Sequence, residues 1–151
     1  MKVYAETSAI LRWLFNESGS DEILERLRSS QKVVCSRLTL IESHRSIHRA
    51  VALRELAEAE AAEVRAALAQ SAARWAILEV SPEVGARAEQ AFPVEPLRTL
   101  DALHLASALV LRHSLPDVVI LSTDARVRTN ATQLGFEIFP SESPSGKRPG
   151  S

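Results

Sequence analysis

A chain of 151 residues, 46% hydrophobic and 25% charged, has the make-up of one soluble globular domain with a sizeable core. Its formal net charge of -1 gives no global attraction to nucleic acid or to an anionic membrane, so a polyanion would have to be met by a local basic patch. The single cysteine, Cys35, excludes an internal disulfide and a multi-cysteine zinc site, and suits a reducing cytosol.

The opening residues, Met-Lys-Val-Tyr-Ala-Glu, carry a charge at position 6 where a signal peptide needs an apolar run. No stretch approaches the length of a membrane span, so a cytoplasmic protein without a membrane partner is expected. Residues 2–5 read as a short apolar strand ending at Glu6, after which Thr7-Ser8 offers N-cap chemistry for a helix to about Phe15. A turn-rich break leads to a helix over 21–28, and the β-branched run at 32–36 predicts a second strand. A third helix starts near Arg37, and the Ala/Glu/Arg-rich stretch 55–74 predicts a fourth; periodicity leaves open whether they part near Leu53. Residues 75–80 form a third strand, and Pro82 suits the first position of a helix running to about Phe92.

Pro93 and Pro96 bracket a loop. The segment that follows, Leu97 to Leu111, is a helix apolar on almost every side, which belongs inside a domain. Residues 118–121 are a fourth strand, continuous in its apolar character, followed by Ser122-Thr123-Asp124. A helix over 125–134 is stopped by Gly135, residues 136–139 are a fifth strand, and the Ser/Pro/Gly-rich segment 141–151 is expected to be a disordered tail. Strands alternating with helices imply an α/β domain over residues 1–140, a mainly parallel five-stranded sheet with helices on both faces.

Four acids draw attention. Asp101 lies in the first turn of the apolar helix, where a carboxylate either faces the helix dipole or ligates a metal. Glu6 and Asp124 follow the first and fourth strands, the end at which such sheets bind ligands, and Glu42 lies on the helix after the second. Carboxylates gathered at one crevice repel unless a cation holds them, and an all-oxygen site suits Mg²⁺ or Mn²⁺. An ion of that kind activates water and offsets charge in phosphoryl displacement, so a phosphodiester is the implied substrate. No Gly-rich phosphate loop, His/Cys zinc spacing or serine elbow competes.

The segments Val3-Tyr-Ala-Glu-Thr-Ser-Ala-Ile-Leu-Arg12, Ser36-Arg-Leu-Thr-Leu-Ile-Glu42, Leu97-Arg-Thr-Leu-Asp-Ala-Leu-His-Leu-Ala106 and Ser122-Thr-Asp124 with Leu134-Gly135, in this order, resemble PIN-domain ribonucleases of the VapC toxin type. The resemblance spans essentially residues 1–139 and implies a three-layer α/β/α PIN-like domain. It implies a metal-dependent endoribonuclease, the toxin of a toxin–antitoxin pair, with RNA as substrate, a cognate antitoxin as partner and a homodimer as assembly. Glu42, Asp101 and Asp124 take the places of the family's acidic metal site. Glu6 stands where the family normally has aspartate, and its extra methylene is large against the octahedral tolerance of Mg²⁺. A rival follows from that departure: a PIN-like domain that binds RNA or protein without cutting.

Arg12, Arg98 and Arg126 adjoin the acidic motifs and are candidates for phosphate contact, though surface arginines are common. Thr7, Thr123 and Ser122 read first as capping and turn hydroxyls, with orientation of the acids as a second role. His104, three residues after Asp101, reads as a packed, hydrogen-bonded core residue, with a general base as the alternative. No acid partner is assignable to His44, His48 or His113.

Overall fold

The computed structural model describes residues 1–142. Elements alternate in chain order as β1 (Lys2–Ala5), α1 (Thr7–Leu14), α2 (Ser20–Ser29), β2 (Lys32–Ser36), α3 (Arg37–Ala52), α4 (Glu58–Ala72), β3 (Ala76–Leu78), α5 (Pro82–Ala88), α6 (Thr99–Arg112), β4 (Val119–Leu121), α7 (Ala125–Gln133) and β5 (Ile138–Phe139). The strands form one sheet in the order β3-β2-β1-β4-β5, and every pairing is parallel. Most of the tail expected over 141–151 lies outside the described residues.

Each strand of a parallel sheet presents successive side chains to opposite faces. Tyr4, Val34 and Ile120 pack with Val84 of α5, Leu105 and Ala108 of α6 and Val127 of α7 on one face. Val3, Ala5, Val33 and Leu121 pack with Ala9, Ile10, Ile23 and Leu68 of α1, α2 and α4 on the other. Two apolar cores thus enclose the sheet, which is the expected three-layer α/β/α arrangement.

The joint that periodicity left open is a sharp stop. Arg54 adopts a left-handed backbone (φ 58), with its N–H on the Val51 carbonyl and the Glu55 N–H on the Ala50 carbonyl. This pair of bonds closes α3 as a Schellman motif. Glycine normally marks that position, and an arginine there gives no signal. At the end of α7 the same motif carries the expected Gly135 (φ 85). It takes the Phe136 N–H for the Ala131 carbonyl, which shortens the expected fifth strand to its last two residues. The third strand is shortened likewise, since the Trp75 N–H closes a turn on Ala72.

The helix from Pro82 also ends early, at Ala88 rather than Phe92. Pro93 disfavours helical geometry at the residue before it, and the Phe92 N–H turns instead to Glu95 at 3.1 Å. The following loop is clasped by Asn130 of α7, whose amide accepts from the Val94 N–H (2.9 Å) and donates to the Val94 carbonyl (3.1 Å).

Candidate active site

The strand order reverses about β1: the chain runs outward through β2 and β3 on one side, then through β4 and β5 on the other. The crevice at the carboxyl ends of β1 and β4 is therefore the topological switch point, where open α/β sheets bind ligands. Glu6 leaves β1 there, its N–H bonded to the Leu121 carbonyl at the end of β4 (2.9 Å).

Glu6, and not Thr7 or Ser8, is the N-cap of α1; its extended backbone (φ -81, ψ 150) lets Oε1 accept from the Ser8 N–H. The reason is the early start of the helix, which makes Thr7 its first residue. Glu6 is buried, and its Oε2 accepts from the hydroxyls of Ser8 and Ser122, the latter at 2.8 Å. Burial raises its pKa above the ordinary carboxylate value, although the charge of His104 and these hydrogen bonds pull the other way. Ser8 Oγ also accepts the backbone N–H groups of Thr123 (2.9 Å) and Asp124 (3.1 Å), so one hydroxyl ties the end of β1 to the end of β4.

Freed from capping, Thr7 points inward, and its hydroxyl donates to Glu42 Oε1 at 2.8 Å. The same oxygen lies 2.6 Å from His104 Nε2. A carboxylate can only accept, so Nε2 carries hydrogen; in the neutral ring Nδ1 then accepts from the Tyr4 hydroxyl, 2.8 Å away. His104 is thus the packed core histidine expected. Burial works against its charged form, but the Glu42 bond and the charges of Glu6, Glu42 and Asp101 outweigh that and raise its pKa. Burial also raises the Tyr4 hydroxyl well above its ordinary value. Glu42 turns towards α1 and α6, where Thr7 and His104 hold its Oε1.

Asp101 is almost fully buried and takes a two-pronged contact from Arg98, Nε to Oδ2 at 2.7 Å and Nη2 to Oδ1 at 3.2 Å. The same Nη2 reaches Asp124 Oδ2 at 3.1 Å. Asp124 Oδ1 meanwhile caps α7 through the N–H groups of Arg126 and Val127, both at 3.0 Å. Capping and a place among the acids therefore coexist at Asp124.

Glu42 is bonded to His104, and Arg98 links Asp101 to Asp124. Each acid is nonetheless engaged within the chain, and among the described residues no three His, Cys, Asp or Glu side chains converge as a group that could hold a metal. Of the candidate phosphate contacts, Arg98 stands at the acids, and Arg12 donates to the Ser18 carbonyl at 3.1 Å, in the turn between α1 and α2. Arg126 is exposed and meets Asp124 only through its backbone, as Thr123 meets Ser8.

His113 has an acid neighbour that its sequence position did not disclose, Glu83 on α5 at 3.8 Å. Sequence reasoning also missed Arg128. Its buried guanidinium donates to the carbonyls of Ser122 (2.9 Å) and Pro140 (2.7 Å), pinning the loop that carries Asp124 to the end of β5.

The buried protons make a pH prediction. Glu6 and His104 both have folded-state pKa values above their ordinary values of 4.5 and 6.5, so the folded chain binds these protons more tightly than the unfolded chain. Their contribution to stability is complete below 4.5 and 6.5 respectively, and is lost as pH rises through each raised value. In metal-free protein, Tm measured from about pH 5 upward should include a fall that Glu6→Gln reduces at its lower end. An identical pH profile for the variant would show that Glu6 does not titrate in this way.

An α/β domain with acids at the carboxyl ends of its parallel strands belongs to the class of open-sheet folds that bind ligands at the switch point. Within it, the PIN domain family model matches residues 3–133, and the chain belongs to that family. It is 30% identical over 138 residues to Ribonuclease VapC35 of Mycobacterium tuberculosis, an alignment covering 90% of this chain and 94% of that one. The fold is similar to the crystal structure of M. tuberculosis VapC20, described as a Sarcin-Ricin loop cleaving toxin, with TM-score 0.61 and 14% identity over 89% of this chain and 96% of the other. It is also similar to a chain of VapBC2 from Rickettsia felis bound to a DNA fragment from their promoter, with TM-score 0.60 and 10% identity over 91% and 97% of the two chains.

Proposed function

We propose that this protein is a metal-dependent endoribonuclease, the toxin of a toxin–antitoxin pair, and that it cuts structured RNA at one or a few sites. The observation that supports the reading is the match to the PIN domain family over residues 3–133, with Glu6 and Asp124 following β1 and β4 at the switch point.

The donor chemistry fits a hard divalent ion, Mg²⁺ or Mn²⁺: oxygen ligands only, with Glu42 and Asp124 each about a quarter exposed (25%). Glu6, Glu42, Asp101 and Asp124 would hold the ion. When bound, the ion supplies the Lewis acidity that activates water at neutral pH and offsets phosphate charge. The chain's own residues do the rest. His104 and Thr7 orient Glu42, Ser8 and Ser122 hold Glu6, and Arg128 keeps the Asp124 loop against the sheet. Arg98 is the cation nearest the acids, and Arg12 and Arg126 are further contacts for phosphate.

An antitoxin covering the crevice and a second copy of the chain are the protein partners of this reading. Ile41, Leu53 and Leu100, about half exposed (50%, 54% and 44%), offer apolar surface for such contacts. Among the described residues no helix is long and apolar enough to cross a membrane, and the cytoplasm is the proposed location.

The full internal pairing of the acids favours one rival, a PIN domain that binds RNA or protein without cutting. Sequencing RNA 5′ ends after induction in cells separates the two. Cleavage places new 5′ ends at one or a few positions that a Glu42→Gln protein does not produce. An unchanged end profile, with RNA still retained by the protein, would establish the rival.

A further inference from the structure

Arg98 sits where two local preferences oppose it. It is the N-cap of α6 (φ -71, ψ 154) yet makes no side-chain cap bond, and N-caps favour Ser, Thr, Asp or Asn. Its positive charge also lies at the positive end of the helix dipole. A sequence that breaks local rules at one place tends to do so at a functional site. What compensates here is the fork of contacts to Asp101 (2.7 and 3.2 Å) and Asp124 (3.1 Å). The guanidinium therefore occupies the space between two carboxylates that otherwise repel, as a divalent ion would. Its side chain is 59% exposed while Asp101 is 8% exposed, so the arginine is the solvent-facing member of the pair, with room to leave it.

We propose that Arg98 is a built-in counter-cation that changes partners: it bridges Asp101 and Asp124 in the metal-free protein, gives way to the divalent ion, and then binds the phosphate of the RNA. This rests on the metal-dependent ribonuclease reading and adds to it a residue that serves the metal site and the substrate in turn. Three features of the chemistry support the exchange. A guanidinium stays charged and cannot be neutralised to make room, so it must move. It matches phosphate with the same fork it gives to a carboxylate. Its tether at the start of α6 keeps it at the rim of the acidic crevice after it has let go.

Arg98→Gln removes the charge and keeps much of the length, and Arg98→Lys keeps the charge without the fork. Mn²⁺ binding is read without RNA, from the paramagnetic resonance of the free ion. RNA binding is read from the anisotropy of a labelled oligonucleotide, once in Ca²⁺ and once in chelator. Arg98→Gln should tighten Mn²⁺ binding roughly five- to tenfold, the lower part of the range for a neighbouring charge because the group is partly solvated. It should lower the Tm of the metal-free protein and enlarge the rise in Tm on adding Mn²⁺, with Arg98→Lys between the two proteins. It should also weaken RNA binding in Ca²⁺ and not in chelator.

Unchanged or weaker Mn²⁺ binding in Arg98→Gln would overturn the proposal, as would equal loss of RNA affinity with and without Ca²⁺. Failure of both parent and variant to bind Mn²⁺ would overturn it too. Failure of the ribonuclease reading is seen separately, as absence of cutting by the parent protein.

Discussion

Asp101→Asn is expected to abolish most RNA cleavage while leaving a folded protein. The substitution keeps the shape of a nearly buried side chain and removes one negative charge from the proposed ligand set. A misplaced or missing ligand costs about a hundredfold or more in rate. The stability cost is small by comparison. Asp101 loses its charged contact with Arg98, but Arg98 is largely exposed, and pairs with a solvated partner contribute under about 1 kcal/mol. Relief of repulsion with Asp124 acts in the opposite direction. Tm should therefore stay within roughly 4 °C of the parent, given about 2–4 °C per kcal/mol for a domain of this size. Parent-like cleavage would remove Asp101 from the site, and loss of folding would make it a structural acid.

His104→Ala should have the largest effect on stability. The ring is fully buried, and its two nitrogens satisfy the Tyr4 hydroxyl at 2.8 Å and Glu42 at 2.6 Å. Truncation leaves a cavity beside the Tyr4 ring, whose centroid lies 6.1 Å from that of the imidazole, and strips a buried hydroxyl of its partner. Each effect costs about 1–3 kcal/mol or more, so the sum is on the order of 3–5 kcal/mol. That is a large share of the roughly 5–15 kcal/mol typical of a whole domain. A fall in Tm of about 6–20 °C is expected in thermal denaturation. Cleavage should fall as well, since Glu42 loses the contact that orients it. A change in activity with no change in Tm would instead make His104 a chemical participant.

The layers of this domain were legible because their signals are local. β-Branched runs mark β2 and β4, and the all-round apolar helix α6 declares its own burial. Chain ends of elements were less legible where the marking residue is unusual: Arg54 holds a left-handed turn usually given to glycine, and Glu6 holds a cap for which Thr7-Ser8 carries the sequence signal. Within the candidate site, residue types and strand-end positions single out the four acids, but not what each one touches.

Those contacts join residues far apart in the chain. Tyr4 meets His104, Glu6 meets Ser122 and Thr7 meets Glu42, and no periodicity encodes such pairs. The bridging of Asp101 and Asp124 by Arg98 was equally hidden, since Arg98 and Asp124 stand 26 residues apart on different elements.

The central claim is that the acids at the switch point cut RNA only with a divalent ion. The direct measurement is the initial cleavage rate of a structured RNA by purified protein, stripped with chelator and then titrated with Mg²⁺ or Mn²⁺, beside Asp101→Asn. The account predicts no cutting in chelator, a saturable rise with either ion, and a plateau for Asp101→Asn lower by about a hundredfold. Undiminished cleavage by the parent protein in excess chelator would contradict it.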